Sequence, residues 1–269
     1  MPQFFLPPDA VSGESFVLKG PEAFHVAKVL RCRPGDSLRL FDGRGRRFEG
    51  VITEIRKDGT VSGTLQNEIG GSSPAPARAR VVLCQALLKQ ARWDWLLEKG
   101  TELGVAAFAP LLTQRTIVPE DAARAKMERS RRVIMAAAKQ CGRAELPALR
   151  GPVHLRDALK SCRDRGPVFF AWEALPGVCA ASVLRPALER ALREAAGGEF
   201  TAYLFIGPEG GWADEEVELA EAEGALLFGL GPATLRAETA ALASVAAIDY
   251  EISALAAPAE AFAAEKSGA

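Results

Sequence analysis

Two short segments in the last third of the chain carry residues suited to chemistry on a small ligand. The first is Phe205-Ile206-Gly207-Pro208-Glu209-Gly210-Gly211-Trp212, and the second is Leu230-Gly231-Pro232-Ala233-Thr234-Leu235-Arg236-Ala237-Glu238-Thr239. Glycine and proline impose backbone paths that ordinary residues avoid, and glycine lets a ligand approach the main chain closely. In the first segment, main-chain groups can hydrogen-bond a nucleobase edge, and Glu209 can hold a ribose hydroxyl or stand near a cation. The competing reading is a tight strand-to-helix connection. In the second segment, Leu230 and Leu235 offer apolar walls. Arg236 either grips a phosphate or carboxylate or closes a helix-start salt bridge with Glu238. Asp214, with Glu215 and Glu216, fits the capping and dipole complement of the following helix.

A third stretch, Lys89-Gln90-Ala91-Arg92-Trp93-Asp94-Trp95, offers cations for phosphate and tryptophans that stack on a base or simply pack. Arg115 ends the next apolar run, and Gln140-Cys141-Gly142-Arg143 closes a basic helix. Other chemistries are set aside. No G-x-x-x-x-G-K-[ST] occurs, and no G-x-G-x-x-G follows a strand, which argues against a phosphate cradle or a standard dinucleotide site. His25 and His154 are too few and too dispersed for a metal cluster, so no metal is expected. A nucleophile elbow is also absent.

The elements that must position these residues fall into two patterns. Residues 14–69 read as short strands, Ser15–Leu18, Ser37–Phe41, Arg47–Arg56 and Thr60–Glu68, divided by turns such as Asp42-Gly43-Arg44-Gly45. A short helix from Pro21 to Arg31 carries His25. This is the pattern of a small β-barrel. After the linker Gly70-Gly71-Ser72-Ser73-Pro74-Ala75-Pro76, apolar strand-length runs appear at Arg80–Leu87, Ala106–Leu112, Val168–Trp172, Tyr203–Ile206 and Ala225–Leu230. Helix-period segments alternate with them: Arg92–Leu103, Ala122–Gln140, Leu155–Cys162, Ala180–Ala195, Asp214–Glu223 and Glu238–Leu255. Alternation with uniformly apolar strands predicts a parallel α/β sheet covered on both faces, with ligands beyond the strand C-terminal ends. Both opening segments fall there. The tail from Pro258 is small and polar.

The net charge of −1 hides an asymmetry. Residues 1–73 carry 10 basic and 9 acidic side chains, residues 74–150 carry 14 and 7, and residues 151–269 carry 9 and 18. A nucleic-acid partner would therefore meet the first half of the chain. The competing reading is that Arg124, Lys126, Arg129, Arg131 and Arg132 solvate a helix face. Five scattered cysteines argue for reduced thiols in a cytoplasmic protein. The longest apolar stretch, Ala240 to Ala257, is interrupted by Asp249 and Glu251, and no membrane partner is expected.

Several motifs in order then carry a family resemblance. They are His25-Val26-Ala27-Lys28-Val29-Leu30-Arg31, Gly35-Asp36 to Phe41-Asp42-Gly43, Glu98-Lys99-Gly100-Thr101-Glu102-Leu103-Gly104-Val105, Gln140-Cys141-Gly142-Arg143 and both opening segments. With them the chain resembles the 16S ribosomal RNA uracil-N(3)-methyltransferases of the SPOUT, or trefoil-knotted, superfamily. The resemblance implies a PUA-like RNA-binding barrel over residues 1–72, a knotted α/β methyltransferase domain over 73–258 and a tail over 259–269. It implies S-adenosyl-L-methionine as cofactor, 16S ribosomal RNA within an assembled small subunit as partner, and a homodimer with shared active sites. The knot comes from the resemblance alone, since connections are unthreaded by default.

On this reading the cofactor lies against Ile206, Gly207, Pro208, Glu209, Gly210, Gly211, Leu230, Gly231, Leu235, Arg236 and Thr239. Arg236 or Arg115 stabilises the uracil anion, with Glu238 and Glu209 the candidate proton acceptors. His25, Arg31, Arg33, Lys89, Arg92, Arg129, Arg132 and Arg143 face RNA. The chain departs from the family at Pro232-Ala233-Thr234, where Arg and a bulky aliphatic residue are common. Two alternatives remain open at this point. One is a non-catalytic RNA-binding or assembly factor; the other is a related enzyme acting on a ribose hydroxyl or another base.

Overall fold

The structure is a computed structural model that describes residues 3–69, 79–175 and 179–256. The linker and the polar tail read from the sequence lie outside these residues. The chain divides into two compact units, Met1–Pro76 with Ile134–Leu146, and Ala77–Val133 with Pro147–Ala269.

The first unit is a six-stranded, barrel-like β domain. Its strands are β1 (Gln3–Phe5), β2 (Val11–Ser12), β3 (Ser15–Leu18), β4 (Ser37–Phe41), β5 (Arg47–Ile55) and β6 (Val61–Ile69), in the order β1-β4-β5-β6-β3-β2. Every pairing is antiparallel except β1 with β4. Inward residues alternate along the strands, and Phe4, Phe16, Leu18, Leu40, Ile52 and Val61 share one core. The expected Asp42 turn forms. Asp42 Oδ1 accepts from the N–H groups of Arg44 (2.8 Å) and Arg46 (3.1 Å), and Oδ2 accepts from Arg46 Nε at 2.8 Å.

The N-terminal segment, given no strand in the sequence reading, supplies β1, because Phe4 and Leu6 are buried in the barrel core. The single helix expected from Pro21 to Arg31 is instead α1 (Gly20–Phe24) followed by a π-helical turn, His25–Val29. Arg31 leaves the helix altogether with φ +57°.

The second unit is an α/β domain. It contains β7 (Ala79–Ala86), α2 (Gln90–Glu102), β8 (Ala107–Leu112), α3 (Glu120–Ala125), α4 (Met127–Cys141, whose residues from Ile134 group with the first unit), β9 (Ala148–Leu149) and β10 (Val153–His154). It continues with α5 (Leu155–Cys162), β11 (Val168–Ala171), α6 (Ala180–Glu194), β12 (Phe200–Ile206), α7 (Asp214–Ala222), β13 (Leu226–Phe228) and α8 (Ala237–Ala256). The strands are all parallel, in the order β10-β8-β7-β12-β11-β13, with β9 beside β8. Two-residue strands β9 and β10 are too short to announce themselves by pattern. The helix expected over Ala122–Gln140 divides at Lys126 into α3 and α4.

Both faces of the sheet are covered. On one face Val82, Cys84 and Ala86 of β7 pack with Leu155, Leu159 and Cys162 of α5 and with Val217 of α7. On the other, α8 packs against α2, α6, β7 and β12. From the edge strand β13 the chain returns to the middle of the sheet in α8, which packs on β7 and β12. Because the strands are parallel, the loops after β7, β8, β11, β12 and β13 all open at one sheet edge.

Candidate functional site

At that edge the two glycine–proline loops meet around a cavity of about 280 Å³. The loop after β12 contributes Ile206, Gly207, Pro208, Glu209 and Gly211; the loop after β13 contributes Leu230, Gly231 and Ala233–Arg236. The end of β11 adds Ala171, Trp172 and Glu173, α2 adds Arg92, and α8 adds Ala237 and Ala240. Gly210, Thr239 and Arg115 do not line it. Of the expected cofactor residues, then, all but Gly210 and Thr239 come together at one cavity.

The first loop is anchored from below. Trp212 is 2% exposed, stacks on Phe170 with centroids 4.3 Å apart, and donates its indole N–H to the Ala171 carbonyl at 2.8 Å. Gln85, fully buried at the end of β7, donates Nε2–H to the carbonyls of Ala86 (3.0 Å) and Gly207 (3.1 Å). The Gln85 amide thus fixes the point where β12 becomes loop. Gly211 has φ +70°, a conformation that favours glycine. A Cβ there would also stand 2.3 Å from Glu173 Oε1. The helix after the loop is capped by Glu216 rather than by Asp214. Its two oxygens accept from the N–H of Gln114 (2.8 Å) and of Ala213 (3.0 Å), because a carboxylate three residues into the helix can reach back to the entry.

Charged groups are distributed unevenly. Arg92 joins the two loops: its Nη1 donates to Glu209 Oε1 at 3.2 Å, and its Nε lies 3.6 Å from Glu238 Oε1. Glu209 Oε1 also accepts from the Lys89 N–H at 3.4 Å. Of the two readings of Glu209, the structure shows the one beside a cation, since α2 brings a guanidinium and a helix N-terminus to the same oxygen. The helix-start salt bridge between Arg236 and Glu238 does not form either. Glu238 is 7% exposed and turned to Arg92, while Arg236 is exposed and has no side-chain partner among the described residues. Glu238 Oε2 is buried without a hydrogen-bond partner. Arg115 instead donates Nη1–H to the Gly210 carbonyl at 3.1 Å, bracing the loop from outside.

The residues expected to face RNA fall in both units. In the first, His25 is half-buried with its ring edge-on to Phe4 (5.5 Å, 71°), Arg31 and Arg33 are exposed, and Arg143 is half-buried. In the second, Lys89 and Arg132 are exposed, whereas Arg129 is tied to Asp94 through Nε (3.0 Å) and Nη2 (2.7 Å). Arg92 belongs to the cavity wall. Trp93 packs, donating to Ser130 Oγ at 3.1 Å, and Trp95 stays partly exposed. Sequence reasoning missed Gln85, Trp172 and Glu173. Their position at strand ends in a parallel sheet was the signal that could have found them.

The chain matches the RNA methyltransferase domain family over residues 75–249 and the RNA methyltransferase PUA domain family over residues 18–62. It is 32% identical over 239 residues to the ribosomal RNA small subunit methyltransferase E of Mycobacterium bovis, covering 88% of this chain and 87% of that protein. The Bacillus subtilis protein of the same description is 28% identical, with 88% and 90% covered. The crystal structure of a ribosomal RNA small subunit methyltransferase E from Neisseria gonorrhoeae, bound to S-adenosyl methionine, superposes with a TM-score of 0.79 at 27% identity, covering 93% of this chain and 97% of that one.

Proposed function

The chain belongs to the RNA methyltransferase family of the ribosomal RNA small subunit methyltransferases E, and we propose that it transfers a methyl group from S-adenosyl-L-methionine to N(3) of a uridine in 16S ribosomal RNA. The observation that carries this reading is the convergence of both glycine–proline loops on one cavity at the ligand-binding edge of a parallel sheet. The wall suits the donor. Ile206, Leu230 and Leu235 offer apolar surface for a purine, and Gly231 leaves open space where a side chain would project. Ile206, Gly207, Pro208, Glu209, Gly211, Leu230, Gly231 and Leu235 hold the cofactor on this reading.

When bound, S-adenosyl-L-methionine supplies an electrophilic methyl group on a positively charged sulfur. The imide nitrogen of uracil is protonated and a poor nucleophile, so the protein must favour its anion. Arg236, exposed at the start of α8 and uncommitted, offers a guanidinium to the developing oxyanion. Arg115 is assigned to bracing Gly210 instead. The proton leaves N(3), its bonding pair attacks the methyl carbon, and the electrons of the broken carbon–sulfur bond remain on sulfur. Glu238 and Glu209 are the candidate acceptors for that proton: Arg92 reaches both carboxylates, Glu209 lines the cavity and also accepts from the Lys89 N–H, and Glu238 keeps a buried Oε2 without a partner. Alignment of nucleophile, carbon and sulfur supplies much of the rate.

The RNA is held by Arg31, Arg33 and His25 of the barrel and by Lys89 and Arg132 of the large domain. A second copy of the chain covers the exposed Trp95 and Leu103 of α2 and Tyr250 of α8, and the enzyme works in the cytoplasm on the small subunit. Mass mapping of 16S ribosomal RNA from cells with and without the protein tests the reading. Loss of one 3-methyluridine without the protein, and failure of Arg236→Ala to restore it, is the expected result. An unchanged modification pattern would refute it.

A further inference from the structure

Glu173, at the end of β11, has no part in the steps above. Its carboxylate lies over the face of Gly211, with Oε1 2.3 Å from where a Cβ would be. It lines the cavity, and its side chain has no hydrogen-bond or ion-pair partner among the described residues. Among the described residues, the cavity's charged wall residues are Arg92, Glu173, Glu209 and Arg236. Arg92 and Glu209 are spent on each other, and Arg92 also faces Glu238. That leaves Arg236, which the proposed mechanism turns toward the RNA base, as the wall cation without a side-chain partner among the described residues. Of the acidic wall residues, Glu173 is the one without a partner among the described residues.

We propose that Glu173 makes the cavity select for positive charge at the reacting sulfur, so that the sulfonium donor binds more tightly than the uncharged thioether left after transfer. This rests on the donor site assigned above. Donor and product share their adenine, ribose, ammonium and carboxylate; they differ by one methyl group and one unit of charge. A carboxylate in the cavity wall attracts the donor's additional positive charge, which the product lacks. With Glu173 partly solvated, the discrimination is on the order of tenfold rather than the far larger factor a dry site would give. Gly211 is needed for the same arrangement, since any side chain there would displace the carboxylate. The consequence for turnover is that the spent cofactor leaves a site that no longer attracts it, which favours exchange for fresh donor.

The test is calorimetry on the full chain with three probes: S-adenosyl-L-methionine, S-adenosyl-L-homocysteine, and sinefungin, in which an amine-bearing carbon replaces the sulfonium. The wild-type protein should bind the two cationic ligands about tenfold more tightly than the thioether, and raising the salt concentration should narrow that gap. Glu173→Gln keeps the shape and removes the charge, so the ratio should fall to about one while thermal stability is retained. A ratio that survives Glu173→Gln would overturn the proposal. So would equal weakening of all three ligands, which would make Glu173 a contact to the shared ammonium or ribose. Failure of all three to bind the wild-type protein would refute the donor site itself, an outcome distinct from loss of discrimination.

Discussion

Replacing Gly211 by alanine separates two reasons for the glycine that the structure makes independent. The first is conformational: φ is +70°, and an L-residue held there costs about 1–2 kcal/mol. The second is steric. The new Cβ would stand 2.3 Å from Glu173 Oε1, far inside van der Waals contact. Glu173 is exposed and flexible, so its side chain can turn away at the cost of an off-rotamer strain of about 0.5–1.5 kcal/mol. The total of about 2 kcal/mol corresponds to a fall in Tm of about 4–8 °C for a domain of this size. Urea or thermal denaturation of Gly211→Ala measures it directly. The same substitution made in a Glu173→Ala background should lose only the backbone part, giving a coupling of about 0.5–1.5 kcal/mol between the two positions. Donor affinity should fall in Gly211→Ala because the loop wall moves. A variant as stable as the wild-type protein, or a cycle without coupling, would refute the account of how this loop is held.

Three further outcomes are expected. Trp212→Phe keeps the stacking on Phe170 but leaves the Ala171 carbonyl without its buried donor, and should cost about 1–3 kcal/mol by chemical denaturation and loosen the loop for its ligand. Arg132→Glu should weaken RNA binding and flatten its salt dependence by about one unit of slope per lost phosphate contact, whereas Arg129→Glu acts first by breaking the Asp94 pair. Salt titrations of RNA affinity distinguish them. Asp42 is subject to an upward push from burial, but hydrogen bonds from the Arg46 side chain and the Arg44 and Arg46 N–H groups outweigh it and lower its pKa. A depressed carboxylate stabilises the fold above its unfolded pKa of about 3.9 and loses that contribution as pH falls through the lower folded value. Stability against pH should therefore decline in the acid range for the wild-type barrel and be flatter there for Asp42→Asn.

Much of this architecture was legible in the sequence, because long apolar runs and helix periods survive any tertiary context. The strands from β3 to β8 and from β11 to β13, and the helix order of the large domain, followed from that patterning. Elements whose identity depends on distant partners did not. β1 pairs with β4 across 36 residues at Gln3↔Arg39, and β9 and β10 are two residues long. The π-helical turn at His25–Val29 looks like ordinary helix in composition. In the site, the glycine–proline loops could be read locally, since glycine and proline encode backbone shape. The commitments of charged side chains could not. Glu209 lies more than a hundred residues from Arg92, and only the parallel sheet brings α2 beside the loop after β12. The same holds for Glu216, which closes on the Gln114 N–H, and for Glu173 over Gly211.

The most direct test of the central claim uses the purified protein, small ribosomal subunits lacking the modification, and S-adenosyl-L-methionine carrying a deuterated methyl group. After digestion to nucleosides, mass spectrometry should find the label in 3-methyluridine alone, and Arg236→Ala should abolish it. Label in a ribose-methylated nucleoside or another base, or no transfer by the intact protein, would contradict the account.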